Sequence, residues 1–413
     1  MNILVINSGS SSIKYKLFNS KTGSLLAEGL LERIGGAVSK ISHKSFQSIT
    51  KVAKTIMEMT IPDHEQGMKI IVSLLTDPES GVIDNTSFIS AIGHRVVQGG
   101  KLFREPVRIN EAVIDGIRAN IPLAPLHNPG ALAGIVTALE IFPEILQVAV
   151  FDTAFHQTIP PKAFRYAIPN RFYVDAGVRR FGFHGTSHQY ITHETARLLN
   201  KSVDETNLIS LHLGNGSSIT AIRHGKSIDT SMGMTPLDGV IMGTRCGAID
   251  PAIIAHLAEQ QGLSLQEIMT ILTQESGLKG LCGSNDLRDI HRSIACGDDQ
   301  AALALDMLIY RYRHYVGAYF AVLERVDALA FTAGIGENDP DVREGVCRNL
   351  RHFGIFFDKK RNAAITDNGG TISLPSSPVT VMVIPANEEL EIANQVRLVA
   401  KKYFSVGLGE HTQ

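Results

Sequence analysis

Residues 1–19, MNILVINSGSSSIKYKLFN, decide how the rest of the chain is read. An apolar run, Ile3 to Ile6, enters Asn7 and a bend of Ser8, Gly9, Ser10, Ser11 and Ser12; beyond it Ile13, Tyr15 and Leu17 alternate with Lys14 and Lys16. Alternation of period two belongs to a half-buried strand, so the stretch predicts a β-hairpin and not a strand-to-helix phosphate loop. Small residues at the bend, Ser10 and Ser12 among them, let backbone N–H groups and hydroxyls converge on one anion, with Lys14 as a nearby point charge. The same residue types also build an ordinary tight turn.

A second copy favours the anion reading. Residues 208–213 (LISLHL) predict a buried strand, followed by Gly214-Asn215-Gly216-Ser217-Ser218, a strand from Ile219 to Arg223, the turn His224-Gly225 and a third strand. Ser11-Ser12-Ile13 and Ser217-Ser218-Ile219 are offset by 206 residues, half of the 413 in the chain. A hairpin recurring at half length predicts duplicated domains, each offering a phosphate hairpin to a shared cleft.

Bulk properties set the frame. A chain of 413 residues holds two or three domains. Lys plus Arg number 39 against 41 Asp plus Glu, which leaves no net charge suited to nucleic acid or a membrane surface. Cys246, Cys282, Cys296 and Cys347 lack the spacing of a zinc site or disulfide framework and read as reduced thiols of a cytoplasmic protein. No basic and apolar leader precedes the first strand, and no apolar run is long enough for a membrane span.

Along the chain, a three-strand meander is expected to Ile34, and residues 35–85 look irregular apart from a helix around Gly67 to Leu75. FISAIGHRVV, 88–97, predicts a buried strand carrying Arg95, an arginine that must meet either a structural carboxylate or a ligand. In PLAPLHNP, 122–129, Asn128 reads as a cap and Pro129 as the first turn of a helix to about Phe142, with His127 a candidate anion donor or a merely exposed loop residue. QVAVF, 147–151, is a strand covered on both faces, and Asp152 stands at its carboxyl end, where α/β proteins place ligands; a loop acid or helix cap is the alternative. FGFHGTSH, 181–188, precedes an amphipathic helix from Gln189, with Thr186 or Ser187 as its cap.

Met234 to Pro251 is a long irregular segment in which glycines flank Arg245, an arrangement suited to an arginine reaching a phosphoryl group or to a loop arginine at the surface. Asp286 and Arg288 open a helix as cap or as nucleotide contacts, and 297–325 is the longest helix expected. ALAFTAGIGEN, 328–338, is a strand breaking at Gly334-Ile335-Gly336, with Asp339 as a cap beyond it. VTVMVI, 379–384, is another buried strand, and Glu388 begins the last helix as a first-turn acid or a second carboxylate. Paired phosphate bends, strand-end carboxylates and arginines in buried or glycine-flanked places fit phosphoryl transfer, which needs positioning, Mg²⁺ and positive charge.

In order, NSGSSSIKY, GHRVVQGG, PLHNP, FDTAFHQT, RFGFHGTSH, HLGNGSS, GTRCGAIDP, FTAGIGEN and NEELEIA closely resemble the acetate kinase family over almost the whole chain. The resemblance implies an α/β fold of two duplicated ribonuclease-H-like (actin-like ATPase) domains flanking an ATP cleft: 1–152 plus 385–413, and 153–384 for nucleotide binding and dimerisation. It implies a phosphotransferase acting on a small carboxylate, acetate or in second place propionate, with ATP/ADP as co-substrate, Mg²⁺ as cofactor and a homodimer as the assembly. Residue by residue, it implies Asn7 and Glu388 at the metal, Lys14 beside the nucleotide phosphates, Arg95 on the substrate carboxylate and Asp152 as the essential aspartate. His184 and Arg245 would stabilise the transferring group, with His127 as a further donor. His212, Leu213, Gly214, Asn215 and Gly216, then Asp286, Leu287 and Arg288, then Gly334, Ile335, Gly336, Glu337 and Asn338 match its nucleotide segments; Val97, Leu126, Phe183 and Pro236 match the pocket for the substrate methyl group. Gln98 and Ala386 depart from common family residues. A switch ATPase of the same fold is the rival class.

Overall fold

The computed structural model describes residues 1–48 and 51–407, and the chain divides into two compact units. One is Met1–Ala154 with the chain from Asn387 on; the other is Phe155–Ala386. The cuts fall two residues beyond those expected from the sequence.

The first unit holds β1 (Asn2–Ser8), β2 (Ser12–Asn19), β3 (Leu25–Glu32), β4 (Ser39–Phe46), β5 (Val52–Met59), β6 (Ile89–Val96), β7 (Val107–Arg108) and β8 (Leu146–Phe151) in one sheet, ordered β5-β4-β3-β2-β1-β6-β8-β7. The opening stretch forms the expected hairpin, with Asn7 opposite Lys14 and Ser8 opposite Ile13. β6 and β8 then add in parallel, with Ile6 beside His94 and Arg95 beside Val150.

Residues 35–85 differ from expectation, because β4 and β5 lie there. On β4 the inward positions are Ser39, Ile41, His43 and Ser45, whose hydroxyls and imidazole hide the alternation that apolar side chains would display. β5 is an edge strand with no buried position, so burial never imposed a pattern on it. The helix His64–Leu75 was anticipated; it packs Met68, Ile71 and Leu75 against Ile13, Tyr15 and Leu31.

The helix Glu388–Gly407 covers the other face, setting Ile392 and Val396 against Ile3, Val5, Val148 and Val150. Gly93 permits this approach: a Cβ there would stand 2.6 Å from Val396. The helix Asn128–Ile141 presses on the opening hairpin, where a Cβ on Gly130 would meet the Gly9 carbonyl carbon at 2.5 Å. Asn128 does not cap that helix. Its buried amide accepts from the Gln98 N–H at 3.1 Å and donates to the Gln98 carbonyl at 3.0 Å, while His127 occupies the cap position with no side-chain bond to the helix.

The second unit holds β9 (Leu208–Leu213), β10 (Ser217–Arg223), β11 (Lys226–Thr230), β12 (Ala328–Thr332), β13 (Gly370–Thr371) and β14 (Thr380–Val383), ordered β11-β10-β9-β12-β14-β13. The five strands β11-β10-β9-β12-β14 repeat β3-β2-β1-β6-β8: two antiparallel hairpin partners on one side of the central strand and two parallel strands on the other. The duplicated α/β architecture inferred from the paired bends is therefore present in the topology. Ile191, from the helix Gly185–Leu198, packs with Leu208, Ile222 and Ala330, and the helix Asp299–Leu323 buries Leu308, Tyr312 and Tyr319. No helix among the described residues is long and apolar enough to cross a membrane.

Candidate functional site

In the first unit the parallel strands β1, β6 and β8 finish at Ser8, Val96 and Phe151, which places Asn7, Arg95 and Asp152, each within one residue of a strand end, along one carboxyl edge. Asp152 is 1% exposed and takes two bonds from Arg95, Nη2 to Oδ2 at 2.5 Å and Nε to Oδ1 at 3.3 Å. Glu388, at the start of the last helix, has Oε2 3.8 Å from Arg95 Nε. Burial lowers the Arg95 pKa, but Asp152 and then Glu388 outweigh it and hold the guanidinium above its usual value. Both sequence readings of this arginine are thus combined: it is ion-paired, yet Nη1 meets no acceptor among the described residues.

Lys14 sits across the hairpin from Asn7, and its ammonium is engaged by Glu389 at 2.5 Å; Lys16 reaches the same carboxylate at 3.4 Å. Burial raises the Glu389 pKa, but the two lysines pull it below the usual carboxylate range. At the bend the Gly9 N–H is spent on the Ser12 carbonyl at 2.8 Å, while Ser10 is exposed and Ser12 half-buried. Val97 is half-buried, Leu126 is 70% exposed and His127 is exposed on the loop before its helix.

The second unit's bend is built differently from the cradle expected. Ser217 Oγ donates back to the Gly214 carbonyl at 2.9 Å, and Ser218 Oγ turns inward to two histidines, so neither hydroxyl is offered outward. What faces the bend is a cationic and imidazole pair: a Cβ on Gly216 would stand 3.4 Å from Arg245 Nη1 and 3.6 Å from His184 Nε2. His184 stacks on His212, with ring centroids 4.1 Å apart, and bonds Ser218 through Nδ1 at 2.9 Å. His184 is the residue before the helix Gly185–Leu198, with φ 55, so Thr186 and Ser187 lie inside a helix that starts four residues earlier than expected. Ala333, at the start of the short helix Ala333–Asn338, has φ 65; left-handed backbone at non-glycine residues stores strain of about 1–3 kcal/mol, a feature concentrated at working sites.

Arg245 is half-buried, and its Nη1 donates to the Pro236 carbonyl at 3.2 Å. Burial alone lowers its pKa, and among the described residues no carboxylate of its unit lies within ion-pair reach. Phe183 is 2% exposed and fixed by the bond its carbonyl accepts from His156 Nε2 at 2.9 Å.

A cavity of about 740 Å³ opens beside these groups in the second unit. Gly214, Asn215, Asp286, Leu287, Arg288, Gly334, Ile335 and Asn338 line it, so three separated sequence segments converge on one volume of nucleotide size. Asp286 caps the helix Leu287–Ala295 and pairs with Arg288 at 2.6 Å. His212, Leu213, Gly216, Gly336 and Glu337 are not in the wall; Gly336 accepts from Arg343 Nη1, and Glu337 Oε1 takes the Ala386 N–H at 2.9 Å.

Sequence reasoning missed Asn285, His291 and Asp341 in this wall, and it took Asp339 only as a cap. Asp339 does both: Oδ1 caps the helix Pro340–Cys347, and Oδ2 accepts from His291 Nε2 at 2.8 Å. It also missed Ser210 and Ser218 as partners of the histidines, since a serine on a strand carries no local signal of a partner distant in sequence.

A model of the acetokinase family matches residues 2–394. An acetate kinase of Maridesulfovibrio salexigens is 54% identical over 394 residues, which are 95% of this chain and 98% of that relative. The crystal structure of Porphyromonas gingivalis acetate kinase superposes with a TM-score of 0.91 at 43% identity, over 96% of this chain and 99% of that one. A propionate kinase from Francisella tularensis gives 0.88 at 41%, with 96% and 99% covered.

Proposed function

Since the chain belongs to the acetokinase family, we propose that it transfers the terminal phosphoryl group of ATP to acetate, giving ADP and acetyl phosphate, and catalyses the reverse reaction. One observation carries the reading: Arg245, a half-buried guanidinium with no carboxylate of its own unit to neutralise it, stands with His184 beside Gly216 and next to a cavity of nucleotide size. A transferring phosphoryl group spreads negative charge over its equatorial oxygens, and a desolvated cation held in advance stabilises that charge without reorganising.

The chain's own residues divide the work. The cavity holds the nucleotide, with glycines at 214 and 334 allowing backbone to approach the phosphates. Arg95, oriented by Asp152, offers its remaining Nη1 to the acetate carboxylate. That carboxylate is already ionised at neutral pH, so it attacks phosphorus with no strong base required. Arg245 and His184 take the developing charge.

The donors also suit Mg²⁺. The Asn7 amide and the Glu388 carboxylate are hard oxygen ligands, and neither has a hydrogen-bond partner among the described residues. When bound, the ion supplies positive charge to phosphate oxygens. Free thiols at all four cysteines accord with a cytoplasmic place of work, and Leu303, Met307 and Tyr310, exposed along one face of the helix Asp299–Leu323, accord with a homodimer.

Propionate is the second reading, because a single methylene in an apolar pocket is worth only about 1–3 kcal/mol; the bulk of the Val97 side chain favours acetate. Hydroxylamine trapping with ATP and acetate, propionate or butyrate tests both. Acyl hydroxamate with highest kcat/KM for acetate is expected; phosphate release independent of any carboxylate makes the protein an ATPase instead.

A further inference from the structure

Four side chains of the second unit form an unbroken line. Ser210 Oγ lies 2.9 Å from His188 Nδ1, His188 Nε2 lies 2.7 Å from Ser218 Oγ, and Ser218 Oγ lies 2.9 Å from His184 Nδ1. Ser210, His188 and Ser218 are each 0% exposed. Burial first, then His156 and His212, drive the His188 pKa far down, so this ring is neutral and carries one N–H and one bare nitrogen.

Hydrogen counting then leaves two patterns. If His188 holds its hydrogen on Nδ1, it donates to Ser210, Ser218 donates to His188 Nε2, and His184 must donate from Nδ1 to Ser218. In that pattern the Ser210 hydroxyl hydrogen has no acceptor among the described residues. If the hydrogen is on Nε2, Ser210 donates to His188, His188 donates to Ser218 and Ser218 donates to His184 Nδ1. Each hydrogen between Ser210 and Ser218 now has an acceptor, and donation runs toward His184 instead of away from it. Alignment strengthens both patterns alike, but a buried hydroxyl left unpaired suffers the whole desolvation penalty, so the second pattern prevails.

We propose that Ser210, His188 and Ser218 form a directional hydrogen-bond relay that keeps the hydrogen of His184 on Nε2, the nitrogen beside Gly216 and Arg245, where it serves as a donor to the phosphoryl group. This rests on the reading of His184 as a phosphoryl contact. Ser218 and His188 are then positioning residues: neither touches the reacting atoms, and both decide which face of His184 donates. A bare Nε2 would instead turn a lone pair toward phosphate oxygens.

The test reads the tautomer directly. In the full-length protein with ¹⁵N-labelled histidine, long-range proton–nitrogen NMR, assigned by loss of one signal set in His184→Gln, is expected to show His184 protonated at Nε2 without any substrate present. In Ser218→Ala that signal moves toward the mixed-tautomer position, kcat falls about tenfold to a hundredfold as for loss of one preorganised donor, both KM values stay within about threefold, and Ser218→Thr restores kcat. A wild-type His184 protonated at Nδ1, or Ser218→Ala with wild-type kcat, overturns the relay. Should Ser218→Ala fail to fold, the wild-type spectrum alone decides. Because the spectrum is taken without substrate, a wrong assignment of acetate leaves it unchanged, and a wrong tautomer leaves hydroxamate formation unchanged.

Discussion

At the carboxyl edge of the first unit every cation named here is met in advance: Arg95 by Asp152 and Glu388, Lys14 and Lys16 by Glu389. At the corresponding edge of the second unit the side-chain hydrogen bonds of Arg245 among the described residues go to a carbonyl and a sulfur, and the histidines around it bond to serine hydroxyls. The same five-strand order thus carries two electrostatic designs. A pre-paired guanidinium can orient a small carboxylate and release it, because the incoming anion adds to a balance already struck. An unpaired one suits charge that appears only during transfer, since a permanent internal carboxylate would quench it.

Removing each arginine's partnership should therefore have different signatures. Arg245→Ala is expected to lower turnover on the order of 10³-fold or more, as loss of an arginine finger does, while ATP affinity and the urea midpoint stay near wild type because no ion pair is broken. Turnover within a few-fold of wild type would erase the contrast between the two edges. Asp152→Asn comes next: turnover about 10²-fold down, together with a loss of about 3 kcal/mol of unfolding free energy, since one member of a buried pair is removed. Unchanged stability in urea would mean that Arg95 does not depend on this partner.

A change of pH, which alters no residue, marks where the two units behave alike. Burial holds His94 of the first unit and His156 of the second at about 4, each engaged by a hydrogen bond as a neutral ring. An unfolded chain takes up those protons below about 6.5. The stability from keeping them neutral is complete above that value and is lost as pH falls toward 4, by up to about 3 kcal/mol per ring. Urea midpoints at pH 7, 5.5 and 4.5 should decline steadily, and a flat profile over that window would contradict it.

Much of this was legible in the order of residues. The hairpin at 1–19 and its repeat at 208–223 announced the duplication because alternation and small-residue bends are local properties. The three segments of the cavity wall were each flagged, since glycines and capping acids mark turns wherever they occur. β4 and β5 escaped because one hides its inward face behind serine and histidine and the other has no buried face. The helix start at Gly185 escaped because His184 enters it through a left-handed backbone that no capping side chain signals.

Periodicity, bends and charge are written locally, so the order of residues carried the family, the recurring hairpin and the residue types available for phosphoryl chemistry. Only the tertiary structure decided that Arg95 is shared with Asp152, that Arg245 is left unpaired within its unit, and that Ser210, His188, Ser218 and His184 lie in one line. Ion pairs and tautomers depend on distances of about 3 Å between side chains far apart along the chain, and packing alone sets those distances.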